Sequence, residues 1–132
     1  MTWDKQSTAA ARRHLAAADP IMGKIIRRVG PFELKLHRNR FQMLVRSIIS
    51  QQISTAAART IRQRLEDRLS PKRVTAEALL QLDVHSLREA GLSRQKTSYV
   101  LDLAVKTQQG VIRFDRHRKL SDQQIIDQLT QV

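Results

Sequence analysis

The feature that most limits this chain is a set of short apolar stripes at helical spacing, each cut off by a breaker. The clearest runs through Phe41, Leu44, Val45, Ile48 and Ile49. Residues spaced by threes and fours in this way share one face of a helix, and Gln42 and Arg46 fall on another face. Ile21, Met22, Ile25, Ile26 and Val29 repeat at the same period until Gly30-Pro31 stops them. Ala57, Ile61 and Leu65 are spaced by four. Val100, Leu101, Ala104 and Val105 form the inward set of a longer segment, and Ile125, Ile126 and Leu129 that of the last one. Only Phe32, Leu34 and Leu36 alternate with Glu33 and Lys35, which predicts a short extended stretch on the core but no sheet.

Start and stop signals agree with the stripes. Asp19 precedes Pro20, a proline placed where the first helical turn tolerates it. Ser54, Thr75 and Ser93 stand as N-caps, and Ser121 with Gln124 has capping-box spacing. Ser70-Pro71, Gly91 and Gly110 close segments. The reading is all-α, a single helical domain over 1–132, with helices near 8–18, 20–29, 41–51, 54–69, 75–82, 84–90, 93–109 and 121–130. Residues 111–119 are a basic connector containing His117. There is no linker, low-complexity tract or sustained heptad, and 132 residues suit one domain of ordinary size. Aromatics are only 4% of the chain, so the core is expected to be Ile, Leu, Val and Ala, with Phe41 and Phe32 in it.

Charge narrows the partners. The formal net charge is +12, and most of the excess lies in the first 70 residues. Arg outnumbers Lys by 17 to 7, which suits forked phosphate contacts. Such a surface draws duplex DNA and releases counterions on binding; acidic lipid or acidic protein would answer to the same charge. The chain has no Cys, which removes disulfides, Cys-ligated zinc and a cysteine nucleophile. His14, His37, His85 and His117 are dispersed without metal-ligand spacing, so neither metal nor cofactor is expected. Trp3 and Tyr99 are isolated, so no stacking platform for single strands is indicated. No run has signal-peptide or membrane-span character. A cytoplasmic protein without a membrane partner is expected, associated with the nucleoid if bacterial.

The stretch FQMLVRSIISQQIS, from Phe41 to Ser54, resembles the helix and turn at the heart of the helix-hairpin-helix DNA glycosylases, in the branch of the type II 3-methyladenine enzymes. HLAAADPIMGKIIRRVG resembles that family's opening helices, LREAGLSRQKTSYVLDLA the segment after the Gln-Gln element, and LSDQQIIDQLTQV the helix leading into the hairpin. The resemblance covers residues 14–132. It implies an orthogonal helical bundle that is incomplete here, and a base-excision repair enzyme that binds double-stranded DNA, flips a damaged base such as 3-methyladenine and hydrolyses its N-glycosidic bond.

Two of the family's parts have no counterpart. The Gly-x-Gly hairpin that grips a phosphate is missing, since Gly23, Gly30, Gly91 and Gly110 are scattered. The essential aspartate that follows it is missing too. Asp102, Asp122 and Asp127 have surface or capping positions, and no motif carries the aspartate onto them. The chain alone is therefore expected to be inactive. Apolar faces left open by an incomplete bundle are expected to drive self-association.

By the same resemblance, Gln52 matches the residue that wedges into the gap left by the flipped base, with Gln51 beside it; a polar helix end is the plain alternative. Ser50 supports the turn by local backbone bonding. Arg46 reaches DNA or is simply solvated. Arg94 and Lys96 start a helix and share a phosphate with its free amides, or merely begin the helix. Three functions compete: the glycosylase, a non-enzymatic DNA-binding module, and a helical assembly protein.

Overall fold

The computed structural model describes residues 5–33 and 37–132. Trp3, and the Leu34–Leu36 part of the expected extended stretch, lie outside them. Among the described residues there are eight α-helices, one 3-10 turn and no strand. The chain forms two compact units, Met1–Leu36 and His37–Val132.

The first unit is a pair of helices, α1 (Lys5–Ala18) and α2 (Pro20–Val29), packed on each other. Asp19 caps α2, its Oδ1 accepting from the Ile21 amide at 2.7 Å and the Met22 amide at 3.2 Å. The two helices approach closely at Gly23, where a Cβ would crowd the Ala16 carbonyl oxygen at 3.0 Å. The apolar stripe of α2 lines a groove with Leu15 and Phe32. Phe32 is thus not a core residue: it is 53% exposed on this groove, because two helices supply too little mass to enclose it.

The second unit holds α3 (Arg40–Ser50), α4 (Thr55–Arg68), α5 (Ala76–Leu80), α6 (Val84–Glu89), α7 (Arg94–Gln108) and α8 (Asp122–Leu129). Helices α3, α5 and α6 all pack on α7. Its inner face is Thr97, Val100, Leu103 and Ala104, all buried. Val105, expected inward, is exposed, and Leu103 takes the inner place because that face is centred one residue earlier. Helix α4 is rotated in the opposite sense. Ala58, Ile61 and Leu65 face inward, while Ala57 is exposed. Helix α3 buries Phe41, Val45 and Ile49, with Leu44 and Ile48 on the flank of the core. Gly91 has φ +106 and would set a Cβ 3.0 Å from Ile61 Cγ1, so only glycine fits the turn from α6 into α7.

The 111–119 connector is more than a solvated basic strand of chain. Ile112 is buried, and Phe114 packs against the core. The Ser121–Gln124 capping box is formed in both directions, at 2.9 and 3.3 Å. Helix α8 buries no residue fully; only Leu129 reaches the edge of the core.

Candidate nucleic-acid interface

The site is the turn that leaves α3. That helix ends at Ser50, whose hydroxyl donates to the Arg46 carbonyl at 2.7 Å. Gln51 is the C-cap, and its amide donates to the Ile48 carbonyl at 3.4 Å. Gln52 follows with φ +56, the one non-glycine residue in the left-handed region among the described residues. Side chains other than Gly, Asn and Asp adopt this conformation at a cost. Ser54 then caps α4, its Oγ accepting from the Ala57 amide at 3.2 Å. Both glutamines are exposed, so the sharp turn carries two amide side chains beyond the end of a helix that buries one face.

The other expected residues sit around it. Arg46 lies 3.6 Å from Glu66 of α4, both about a third exposed. It lines a shallow hollow with His37, Met43, Ser47, Ser50 and Arg62. Arg94 is exposed at the first position of α7. Lys96 is placed differently. Its Nζ donates to the Ile49 carbonyl and to the Gln51 carbonyl, each at 2.7 Å. The structure thus joins Lys96 to the Gln51–Gln52 turn rather than leaving it to solvent. On the other side of Gln51, Leu44, Ile48, Tyr99, Leu103 and Leu129 line an apolar recess. Gln95 Nε2 donates to the Tyr99 hydroxyl at 2.7 Å.

Residues 45–129, which include this whole turn, match the family of HhH-GPD superfamily base excision DNA repair proteins. The chain belongs to that superfamily. Two solved structures are similar over nearly its full length. One is a DNA-3-methyladenine glycosidase from Bacillus halodurans, 29% identical with a TM-score of 0.74, covering 89% of this chain and 54% of that one. The other is the Schizosaccharomyces pombe 3-methyladenine DNA glycosylase in complex with abasic DNA, 25% identical with a TM-score of 0.84, covering 93% and 62%. The chain therefore spans between half and two thirds of those proteins. No curated protein sequence matches it.

Several carboxylates of this HhH-GPD chain have basic or amide partners. Asp102 Oδ2 is 2.7 Å from Lys106 Nζ, and that ammonium also donates to the Gln131 carbonyl. Asp127 accepts from Gln123 at 2.8 Å. Glu89 faces both Arg68 and His85, and Asp67 faces Lys72. Among the described residues, no three of His, Asp and Glu gather in a metal-binding group. No helix among them is long and apolar enough to cross a membrane.

Two features of the site escape sequence reasoning. Tyr99 is read as isolated, yet it lines the recess beside Gln51. The partners of Lys96 lie 47 and 45 residues away, where no local spacing reports them.

Proposed function

We propose that this chain supplies the DNA-reading part of a cytoplasmic base-excision repair glycosylase, one that hydrolyses the N-glycosidic bond of alkylated bases such as 3-methyladenine. The observation that carries the proposal is Gln52, held at φ +56 on an exposed turn inside the segment that matches the superfamily. A glutamine there has the length to fill the gap left by a flipped base. Its amide offers both a donor and an acceptor to the widowed partner. Flipping costs a few kcal/mol, least where the base is damaged, and a side chain that fills the gap offsets part of that cost. The net charge of +12 supports docking on the duplex backbone.

On this proposal the 132-residue chain binds but does not cleave. Asp102 is paired with Lys106, and Asp127 accepts from Gln123. These pairings favour a second reading, a non-enzymatic DNA-binding module. The experiment is base release from methylated duplex by the purified chain, with binding to the same duplex followed in parallel. No release with salt-sensitive binding is expected. Release above a heat-treated control would overturn the inactivity and make Asp102 the first suspect. Gln52→Ala is expected to weaken lesion binding more than binding to undamaged duplex; equal losses would remove the wedge role. A Gly-x-Gly hairpin followed by Asp in the coding sequence after Val132 separates the glycosylase from the bare module.

Self-association belongs to the same proposal. Helix α2 leaves Ile21 and Val29 open to solvent, and α8 leaves Ile126 open. Light scattering at low micromolar concentration is expected to show more than a monomer.

A further inference from the structure

The last carbonyls of a helix have no amide partners within it, and they carry the negative end of its dipole. Helix α3 has no basic residue in its own last turn. The cation comes instead from α7. Ser93 caps that helix, its Oγ accepting from the Lys96 amide at 3.1 Å, which fixes Lys96 in the first turn. From there the half-buried Lys96 side chain reaches the Ile49 and Gln51 carbonyls, both at 2.7 Å, the short separation of charge-assisted bonds.

These two bonds bracket the end of α3. Ile49 is the last buried residue of the helix, and Gln51 immediately precedes the left-handed Gln52. The Ser54 cap holds the other end of the turn. A residue in a costly conformation persists only where its surroundings over-determine it. We propose that Lys96 is a positioning residue. Its ammonium clamps the carbonyls on either side of Ser50, and so holds the Gln51–Gln52 turn in the shape that presents Gln52 to DNA. The inference rests on the wedge reading of Gln52. It also removes Lys96 from the set of phosphate contacts, because its charge already faces two carbonyls.

The test is a salt titration of binding to two duplexes, one undamaged and one carrying a tetrahydrofuran abasic analogue. The proteins are the 132-residue chain and its Gln52→Ala, Lys96→Met and Lys96→Arg variants. Lys96→Met is expected to lower the preference for the abasic analogue to the Gln52→Ala level, with the salt slope on undamaged duplex unchanged. A phosphate contact would do the reverse: the slope would fall by about 0.9 and the preference would stand. That result overturns the proposal. If Lys96→Met does not fold, Lys96→Arg decides. A planar guanidinium serves a phosphate as well as an ammonium does but fits this pair of carbonyls poorly. Reduced preference therefore supports the clamp, and unchanged preference overturns it. Should the unaltered chain not distinguish the two duplexes, the wedge reading falls. The clamp is then read alone, from hydrogen exchange of the Ser50 and Gln51 amides. Loss of the ammonium is expected to speed it about tenfold, the size of one charged hydrogen bond. Unchanged exchange in Lys96→Met, or in Lys96→Arg if Met does not fold, overturns it.

Discussion

Phe114 meets Phe41 edge to face, with ring centroids 6.2 Å apart and planes at 77°. Arg40, next to Phe41, donates from Nη1 to the Phe114 carbonyl at 2.8 Å. The basic connector is thus fastened to the start of α3 by an aromatic pair and a hydrogen bond. Phe41 is buried, so Phe41→Ala is expected to cost about 3–5 kcal/mol. Phe114 is half-buried, and its truncation costs less. The ring pair itself contributes about 0.5–1.5 kcal/mol. The double variant should therefore lose less than the two single losses together, by about that amount. Urea unfolding of the four proteins checks this, and strict additivity would mean that the ring contact contributes nothing.

Gln52 gives a prediction in the opposite direction. At φ +56 a side chain costs roughly 1–2 kcal/mol, and glycine removes that cost. Ala keeps the cost, since it also carries a Cβ. Gln52→Gly is therefore expected to match or exceed Gln52→Ala in stability by about 1 kcal/mol, even after the larger entropy loss of glycine on folding. Both variants should lose the preference for an abasic site. The turn would then be a place where stability yields to function. A glycine variant less stable than the alanine variant would show that the left-handed conformation is not strained.

Asp83 sets an acid dependence. It caps α6, and its Oδ1 accepts from the Ser86 amide at 2.7 Å. That backbone bond, followed by the Ser86 side chain, holds the carboxyl below its ordinary range. A depressed folded value means that the unfolded chain takes up the proton first as pH falls. The contribution is full above the unfolded value and disappears as pH drops through the folded one. Asn also caps well but does not titrate. The gap in melting temperature between the unaltered chain and Asp83→Asn is therefore expected to shift against the unaltered chain between about pH 5 and pH 2. Melting curves across that range check it; a gap independent of pH would mean that the cap is not charged.

Much of this structure was legible because it is local. The caps at Asp19, Ser54, Thr75, Ser93 and Ser121 are all formed, since each needs only an amide two or three residues ahead. The Phe41–Ile49 stripe was clear because three of its members sit in the densest packing. What period alone does not give is the centre of a face. The stripes of α4 and α7 each admit a rotation of one residue, and their neighbours chose Ala58 over Ala57 and Leu103 over Val105. Phe32 departs from its expected place in the core because hydrophobicity reports a preference for burial, not whether enough chain surrounds the residue. In the site, the Gln-Gln turn was visible as a break in a stripe. The left-handed Gln52 and the Lys96 clamp were not, because both depend on how α7 meets the end of α3.

Thr97 offers the plainest test of packing on that same helix. It is 3% exposed on the inner face of α7, and its hydroxyl has no hydrogen-bond partner among the described residues. A helical threonine can share the carbonyl four residues back with its own amide, as Thr107 does on the same helix with the Leu103 carbonyl at 2.7 Å, but Thr97 makes no such bond. A buried hydroxyl without a partner costs about 1–3 kcal/mol. Val has nearly the same shape, the same branch at Cβ and a similar helix propensity. Thr97→Val is therefore expected to stabilise the chain by about 1 kcal/mol, read as a higher urea midpoint with an unchanged slope. Thr97→Ser keeps the hydroxyl and removes a methyl from the core, so it should destabilise by a similar amount. The pair separates the two contributions of this side chain. If Val lowers the midpoint instead, the hydroxyl has a partner in solution, and the core around α7 is more polar than its packing indicates.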